Sequence, residues 1–370
     1  MTRSYLVAAR RTAVAPCNGR FAQLSVHGLA APVVNQVIKD AGLVESQVNE
    51  LIVANSLGEG GNPARVIALA SGLPISVAGL SIDRQCAGGL DALLIADAMI
   101  RAGHHEVVIA GGAESYSRQP IRQRTFADGS QPKAYTQAQF TPWPEKDPDM
   151  AQAADSLARY CEITREEQDD WAIESHRKAR HAAANETGQQ ILNLEGLEHD
   201  SFTRKLNRKI CQRAPIVCGS ITSANMAVAA DAAAFAVLVS EEIAKTLDTP
   251  KIEFENGKTV GCDPEILGFA AVQAILMAIQ AADLDVNSIT HAEIMEAFAV
   301  QAIACQRHSG LSPQIINPFG GALARGHPIG ASGAILCVNL FHGMRRRPGI
   351  GLAAIAAAGG LGSAAVLKSH

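Results

Sequence analysis

An α/β fold is predicted by two features of the 370-residue sequence. Short apolar segments that end in glycine or polar turns alternate with helical stretches, and one turn–helix–strand unit of the N-terminal half is echoed near the C-terminus. The segments VNELIVAN (48–55), EVVIAGG (106–112), AAFAVLVS (233–240) and GIGLAAIAAAGG (349–360) read as buried strands. Helical stretches lie between them at 26–41, 63–71, 87–101, 268–282 and 330–344. Alanine and glycine dominate the apolar content and aromatics make up only 4%, which suits close packing of helices on sheets. The echoed unit spans 83–112 and 325–360, so two related halves would bring both of its turns to one central cleft.

Residues 118–218 break the alternation. The polar stretch RQPIRQRTFADGSQPKAYTQAQFTPWPEKDPDM (118–150) has no sustained period and reads as extended loop. An amphipathic helix is expected over 165–188, with Thr164 as its cap and Gly188 as its stop.

Composition bounds the function classes. A net charge of −4 gives no general attraction to nucleic acid or an anionic membrane, so any phosphate binding must be local. The apolar run before Arg10 is too short for a signal peptide or a span, and a cytoplasmic protein is expected. The eight cysteines are scattered without a Cys-x-x-Cys pair, which points to free thiols rather than disulfides or a zinc site, and no metal is expected.

Cys86, in IDRQCAGGLDALLIADAMI (82–100), and His327, in GGALARGHPIGASGA (320–334), are the candidate reactive residues. Each sits in a turn of small residues that opens an apolar helix, where backbone N–H groups point outward. The helix dipole would favour a Cys86 thiolate, and an imidazole at His327 would exchange its proton. The last segment, GLAAIAAAGGLGSAAVLKSH (351–370), has the same small-residue character without a reactive side chain at its turn.

These segments, taken with AARRTAVAP (8–16), GEGGNPARVIALASGLP (58–74), AGGAESYS (110–117), GSITSANMAVAADAAAFAVLVSE (219–241), GCDPEILG (261–268) and AEIMEAFAVQ (292–301), resemble the thiolase family in order and spacing over nearly the whole chain. The resemblance implies a duplicated, five-layered α/β/α/β/α architecture. Its N-terminal half would be 1–117 plus 219–247, its C-terminal half 248–370, and 118–218 an inserted loop domain that covers coenzyme A. It further implies a coenzyme A thioester as substrate, no covalently bound cofactor, and a homodimer or homotetramer, with a hetero-complex as a further partner arrangement.

Thiolases carry a nucleophilic Cys, a His in a Gly-His-Pro turn, an Asn in an Asn-Glu-Ala-Phe motif and a second Cys in a Cys-x-Gly turn. Here the first two are Cys86 and His327, whereas the Asn position is Met295, the second Cys is Ala356 and its Gly is Ala358. Backbone donors survive such replacements, so the N–H groups of Cys86 and Ala358 are the expected oxyanion hole for acyl transfer. The family's His-Met-Gly in the loop domain corresponds to Asp149-Met150-Ala151, and a pantetheine-contacting Ser to Ala227. Near the nucleophile, Asp83 and Gly88 replace an Asn and a Ser. The basic cluster Arg204, Lys205, Arg208, Lys209 and Arg213 lies where the family places its coenzyme A surface.

Ala356 cannot move a proton and Met295 cannot donate a hydrogen bond. A loss of at least about 10³-fold in carbon–carbon chemistry is therefore expected. The sequence thus predicts a coenzyme-A-dependent acyltransferase that works through acyl-Cys86. The alternatives are an ordinary acetyl-CoA C-acetyltransferase with relocated acid/base groups and a non-catalytic homologue that scaffolds a partner. Candidates for relocation are Glu296, Cys262, Cys305, Cys337, His308, Ser332 and Ser363.

Overall fold

The structure is a computed structural model that describes residues 2–58, 60–185, 190–266 and 268–369. Its main strands are β1 (Ser4–Thr12), β2 (Glu50–Ala54), β3 (Ala78–Ile82), β4 (Val107–Glu114), β5 (Ala230–Ser240), β6 (Ile252–Gly261), β7 (Ile289–Ile294), β8 (Ile350–Ala357) and β9 (Leu361–Ser369). They hydrogen-bond in the order β7-β8-β9-β6-β1-β5-β4-β2-β3. The path has a narrow seam in the middle. β1 pairs with β5 from Ser4–Ser240 to Arg11–Ala234, but meets β6 only at Tyr5–Glu253 and Leu6–Ile252. Two half-sheets, one from each half of the chain, are thereby joined edge to edge.

Strand periodicity sorts the side chains into layers. Along β5, Ala232, Ala234, Ala236 and Leu238 face a central core, while Ala233, Phe235, Val237 and Val239 face an outer one. The central core holds two helices, α3 (Gly88–Arg101) and α8 (Ile329–Arg346). Outer layers are built by α1 (Val26–Asp40) and α2 (Pro63–Ala70) on one half-sheet and by α6 (Phe269–Ala281) on the other. The result is the five-layered α/β/α/β/α architecture.

The central helices cross through their glycines. A Cβ on Gly89 would lie 2.6 Å from Ala334 N, and one on Gly333 would lie 2.3 Å from Leu90 N. Only hydrogen fits at these two positions. Because Cys86 and His327 immediately precede these helices, the crossing draws the two turns together.

Between β4 and β5 the chain leaves the sheet. This excursion contains a hairpin (Arg122–Arg124 with Lys133–Tyr135), α4 (Met150–Tyr160) and α5 (Arg165–Asn185), and α7 (Ala299–Ser309) of the C-terminal half packs against it. Asp149 caps α4 by accepting from Ala151 N at 2.8 Å. Thr164 and Glu167 cap α5 reciprocally, Thr164 N donating to Glu167 Oε2 at 2.7 Å and Glu167 N to Thr164 Oγ1 at 3.3 Å. The expected stop at Gly188 lies outside the described residues. Buried Arg11 ties the excursion back to β1 through paired contacts of 2.7 and 3.0 Å to Asp200.

Candidate active site

Two turns, each with a left-handed residue, present the candidate side chains. Before Cys86, Gln85 adopts a left-handed φ of 48°, at a cost of order 1–3 kcal/mol. The Asp83 carboxylate holds that shape by accepting from Gln85 N and Ser56 Oγ, each at 2.8 Å. Before His327, Gly326 has φ 111°, which favours glycine, and His327 N donates to Val228 O at 2.8 Å.

A third element ties the start of α8 to the loop after β2, whose Ser56 in turn bonds Asp83 of the Cys86 turn. The fully buried Glu114 carboxylate at the end of β4 accepts from Asn55 Nδ2 (2.7 Å), Ser56 N (3.0 Å) and Leu57 N (3.2 Å) on one side and from Gly330 N (3.0 Å), in the first turn of α8, on the other. Burial pushes its pKa up to about 7, although these N–H donors pull the other way.

The turns bring Cys86 Sγ to 3.1 Å from His327 Nε2. On the far side of the ring, Nδ1 lies 2.6 Å from Ser332 Oγ, and the Ser332 hydroxyl donates to Pro328 O at 2.9 Å. With its hydrogen so used, Ser332 accepts from Nδ1–H, which leaves the Nε2 lone pair for the thiol. Burial pushes the Cys86 thiol up to about 12, against the backbone N–H groups of Cys86 and Ala358, which favour the anion. Burial likewise lowers His327 to about 4. The resting pair is therefore thiol and neutral imidazole. This corrects the expectation of a thiolate, because desolvation outweighs the favourable backbone dipoles here.

The pair opens on a cavity of about 180 Å³ whose wall includes Tyr116, Phe140, Met150, Ala227, Ala297, Phe298, Ile329 and Ala356 to Ala358. Of the positions singled out in the sequence, Cys86, His327, Ala356, Ala358, Met150 and Ala227 are thus brought together. Met295 is not. Its side chain is buried in the central core, and its backbone N–H bonds Ala354 O at 2.9 Å.

Two members of the basic cluster have partners within the chain. Arg208 is paired with Glu166 and Asp170 of α5 (2.5 and 2.6 Å), and the Arg204 guanidinium stacks on Phe202 with its centre 4.2 Å from the ring centroid. Lys205 is exposed. The sequence displays these charges but not the carboxylates that fold against them.

Most of the relocation candidates have structural work. Glu296 accepts from Trp171 Nε1 (3.0 Å), Ser175 Oγ (2.7 Å), Asn317 Nδ2 (2.8 Å) and Leu323 N (3.3 Å), so its oxygens are saturated. Cys305 and Cys337 are buried in packed cores, the free Cys262 is not part of the cavity wall, His308 packs edge-on against Phe269, and Ser363 meets Thr259 at 3.1 Å. Ser332 alone of these touches the reactive pair. Sequence reasoning missed Tyr116 and Glu114. Both lie in AGGAESYS (110–117), where the run of small residues ahead of Glu114 at a strand end was the available signal. Among the described residues, no His/Cys/Asp/Glu cluster could hold a metal ion, and no helix is long and apolar enough to cross a membrane.

Comparison with known proteins agrees with this architecture. The thiolase N-terminal domain profile matches residues 4–242, and the thiolase C-terminal domain profile matches 248–369. A Bacillus subtilis (strain 168) protein named "Putative acetyl-CoA C-acetyltransferase YhfS" is 37% identical over 98% of both chains. A Staphylococcus epidermidis protein named "Putative acetyl-CoA C-acetyltransferase VraB" is 34% identical over 100% of this chain and 99% of its own. Among solved structures, the Acat5 thiolase of Ascaris suum in complex with coenzyme A superposes with a TM-score of 0.92 at 30% identity, over 100% of both chains. The acetyl-CoA acetyltransferase of Bacillus anthracis does so with a TM-score of 0.91, also at 30% identity, over 100% of this chain and 99% of that one. The chain belongs to the thiolase family of acyltransferases.

Proposed function

We propose that the protein transfers acyl groups from coenzyme A thioesters through an acyl-Cys86 intermediate. The 3.1 Å contact between Cys86 Sγ and His327 Nε2 carries this reading. As the sulfur attacks the thioester carbonyl, its proton passes to His327 Nε2, so a thiol whose own pKa is high never has to exist as a free thiolate. The carbonyl oxygen takes up the negative charge beside the N–H groups of Cys86 and Ala358, which already converge on the sulfur. Collapse expels the coenzyme A sulfur, which recovers the proton from His327.

Carbon–carbon bond formation or cleavage is the weaker half of the repertoire. The Ala356 methyl in the cavity wall supports this, because that position offers no proton to the α-carbon of a second thioester. Residues 1–117 with 219–247 and residues 248–370 act as the two halves, and 118–218 as a cover over the site. Phe140 and Met150, which come from that insertion and line the cavity, support the assignment. We further take the working assembly to be at least a dimer. The open edge of β3 and the exposed Val66, Leu69 and Ile75 nearby favour it.

Isotope exchange tests the central step. Labelled coenzyme A is expected to enter acetyl-CoA without any acceptor present, and Cys86→Ala is expected to abolish that exchange. A wild-type enzyme that needs an acceptor before exchange occurs would contradict a covalent intermediate.

A further inference from the structure

Among the described residues, the cavity wall contains one titratable side chain besides Cys86 and His327, namely Tyr116. Of the two amides in the same wall, Gln85 is engaged, its Nε2 donating to Asp83 Oδ1 at 3.0 Å. The Gln301 side chain lies against Cys305, and its Nε2 is buried without a hydrogen-bond partner among the described residues. Among the described residues the Tyr116 hydroxyl has no hydrogen-bond partner. Its backbone, by contrast, is fixed. Buried Asp231 of β5 accepts from the N–H groups of Tyr116 and Ser117, the latter at 3.0 Å, and from the Ser117 hydroxyl. The ring is therefore carried on an anchored segment directly after β4, with a free O–H in a mostly apolar cavity.

Resting on the acyl-Cys86 reading, we propose that Tyr116 is a catalytic residue for carbon–carbon chemistry, its O–H donating a hydrogen bond to the thioester oxygen that becomes an enolate. Burial, reinforced by the neighbouring Cys86 and Glu114, pushes the phenol well above its ordinary value, so it stays a neutral donor at any working pH. In cleavage of a 3-oxoacyl thioester, the Cys86 proton moves to His327 Nε2 while sulfur bonds to the ketone carbon. The C2–C3 bond then breaks, and its electron pair passes into an enolate whose oxygen Tyr116 holds. The α-carbon next takes the proton from His327. One acyl thioester leaves, acyl-Cys86 remains, and coenzyme A releases it. The same two groups run the reverse condensation. A tyrosine donor of this kind is a known solution for stabilising an enolate in an apolar site.

The test uses acetoacetyl-CoA and coenzyme A with the wild type and Tyr116→Phe, which keeps the ring. Thiolysis is read by product formation, and acylation by acetyl-CoA is read separately as Cys86 adduct mass. The wild type is expected to show slow thiolysis, and Tyr116→Phe to lose about 10²–10³-fold more thiolysis than acylation. Thiolysis equal to the wild type, thiolysis and acylation falling in the same proportion, or a wild type that acylates but never cleaves would each overturn the assignment. A wild type that forms no adduct would overturn the parent reading, and this one with it.

Discussion

Ser332 Oγ accepts from His327 Nδ1 at 2.6 Å while donating its own hydrogen to Pro328 O, and that relationship decides which imidazole nitrogen is the base. The serine lies five residues after the histidine, on the first turns of α8, so the helix that starts at Ile329 also fixes the tautomer. Ser332→Ala is expected to lower single-turnover acylation roughly tenfold to a hundredfold, and His327→Ala by the full contribution of a general base, about 10²–10⁴-fold. Wild-type acylation in Ser332→Ala would show that the ring needs no such support.

The pH profile follows from the neutral pair. Burial pushes His327 down to about 4 and Cys86 up to about 12. Acylation is expected to stay flat from about pH 5 to 9 and to fall in acid as His327 gains a proton, with no break near 6.5. Stability has a matching sign. The folded pKa of His327 lies below its ordinary value of 6.5, so the neutral imidazole contributes stability that is full above about pH 6.5 and is lost as pH falls through about 4. Thermal melts of wild type and His327→Gln between pH 4 and 7 check this, and the variant is expected to be the less acid-sensitive of the two.

Close approach of α3 and α8 is the packing relation on which the site depends. Gly333→Ala would force a methyl to within 2.3 Å of Leu90 N unless the helices part. Overpacking of this sort costs about 1–3 kcal/mol or more. Acylation should fall along with the melting temperature, because spreading the helices also separates Cys86 from His327. Full activity in a destabilised Gly333→Ala protein would contradict that link.

Restoring a proton-bearing group at Ala356 should have the opposite effect. Ala356→Cys places a thiol in the cavity wall. Acetoacetyl-CoA thiolysis is expected to rise by roughly 10–10²-fold, within the range of a general acid, with little gain in acylation. No increase, in a variant that still forms the acyl adduct, would mean that the missing side chain is not what limits carbon–carbon chemistry.

Cys86 and His327, which the structure places 3.1 Å apart, were legible as candidates because small-residue helix starts have a local physical cause. The strands with continuous apolar runs, such as β5, were equally readable. β6, IEFENGKTVG, was not, because half of it is polar. The site's finer chemistry was less legible. Met295 sits in a motif next to residues that do line the cavity, and only the fold turns it into the core. Arg208 looked like a free charge because its partners, Glu166 and Asp170, lie some 40 positions earlier. Tyr116 carried no spacing signal, since its place in the wall depends on Asp231, more than a hundred residues away.

Intact-mass spectrometry after incubation with acetyl-CoA tests the central claim most directly. A mass increase equal to one acetyl group, present in the wild type and absent in Cys86→Ala, is the predicted result. An unmodified wild-type protein with every acyl-CoA tried, together with a Cys86 that resists alkylation, would contradict an acyl-Cys86 enzyme.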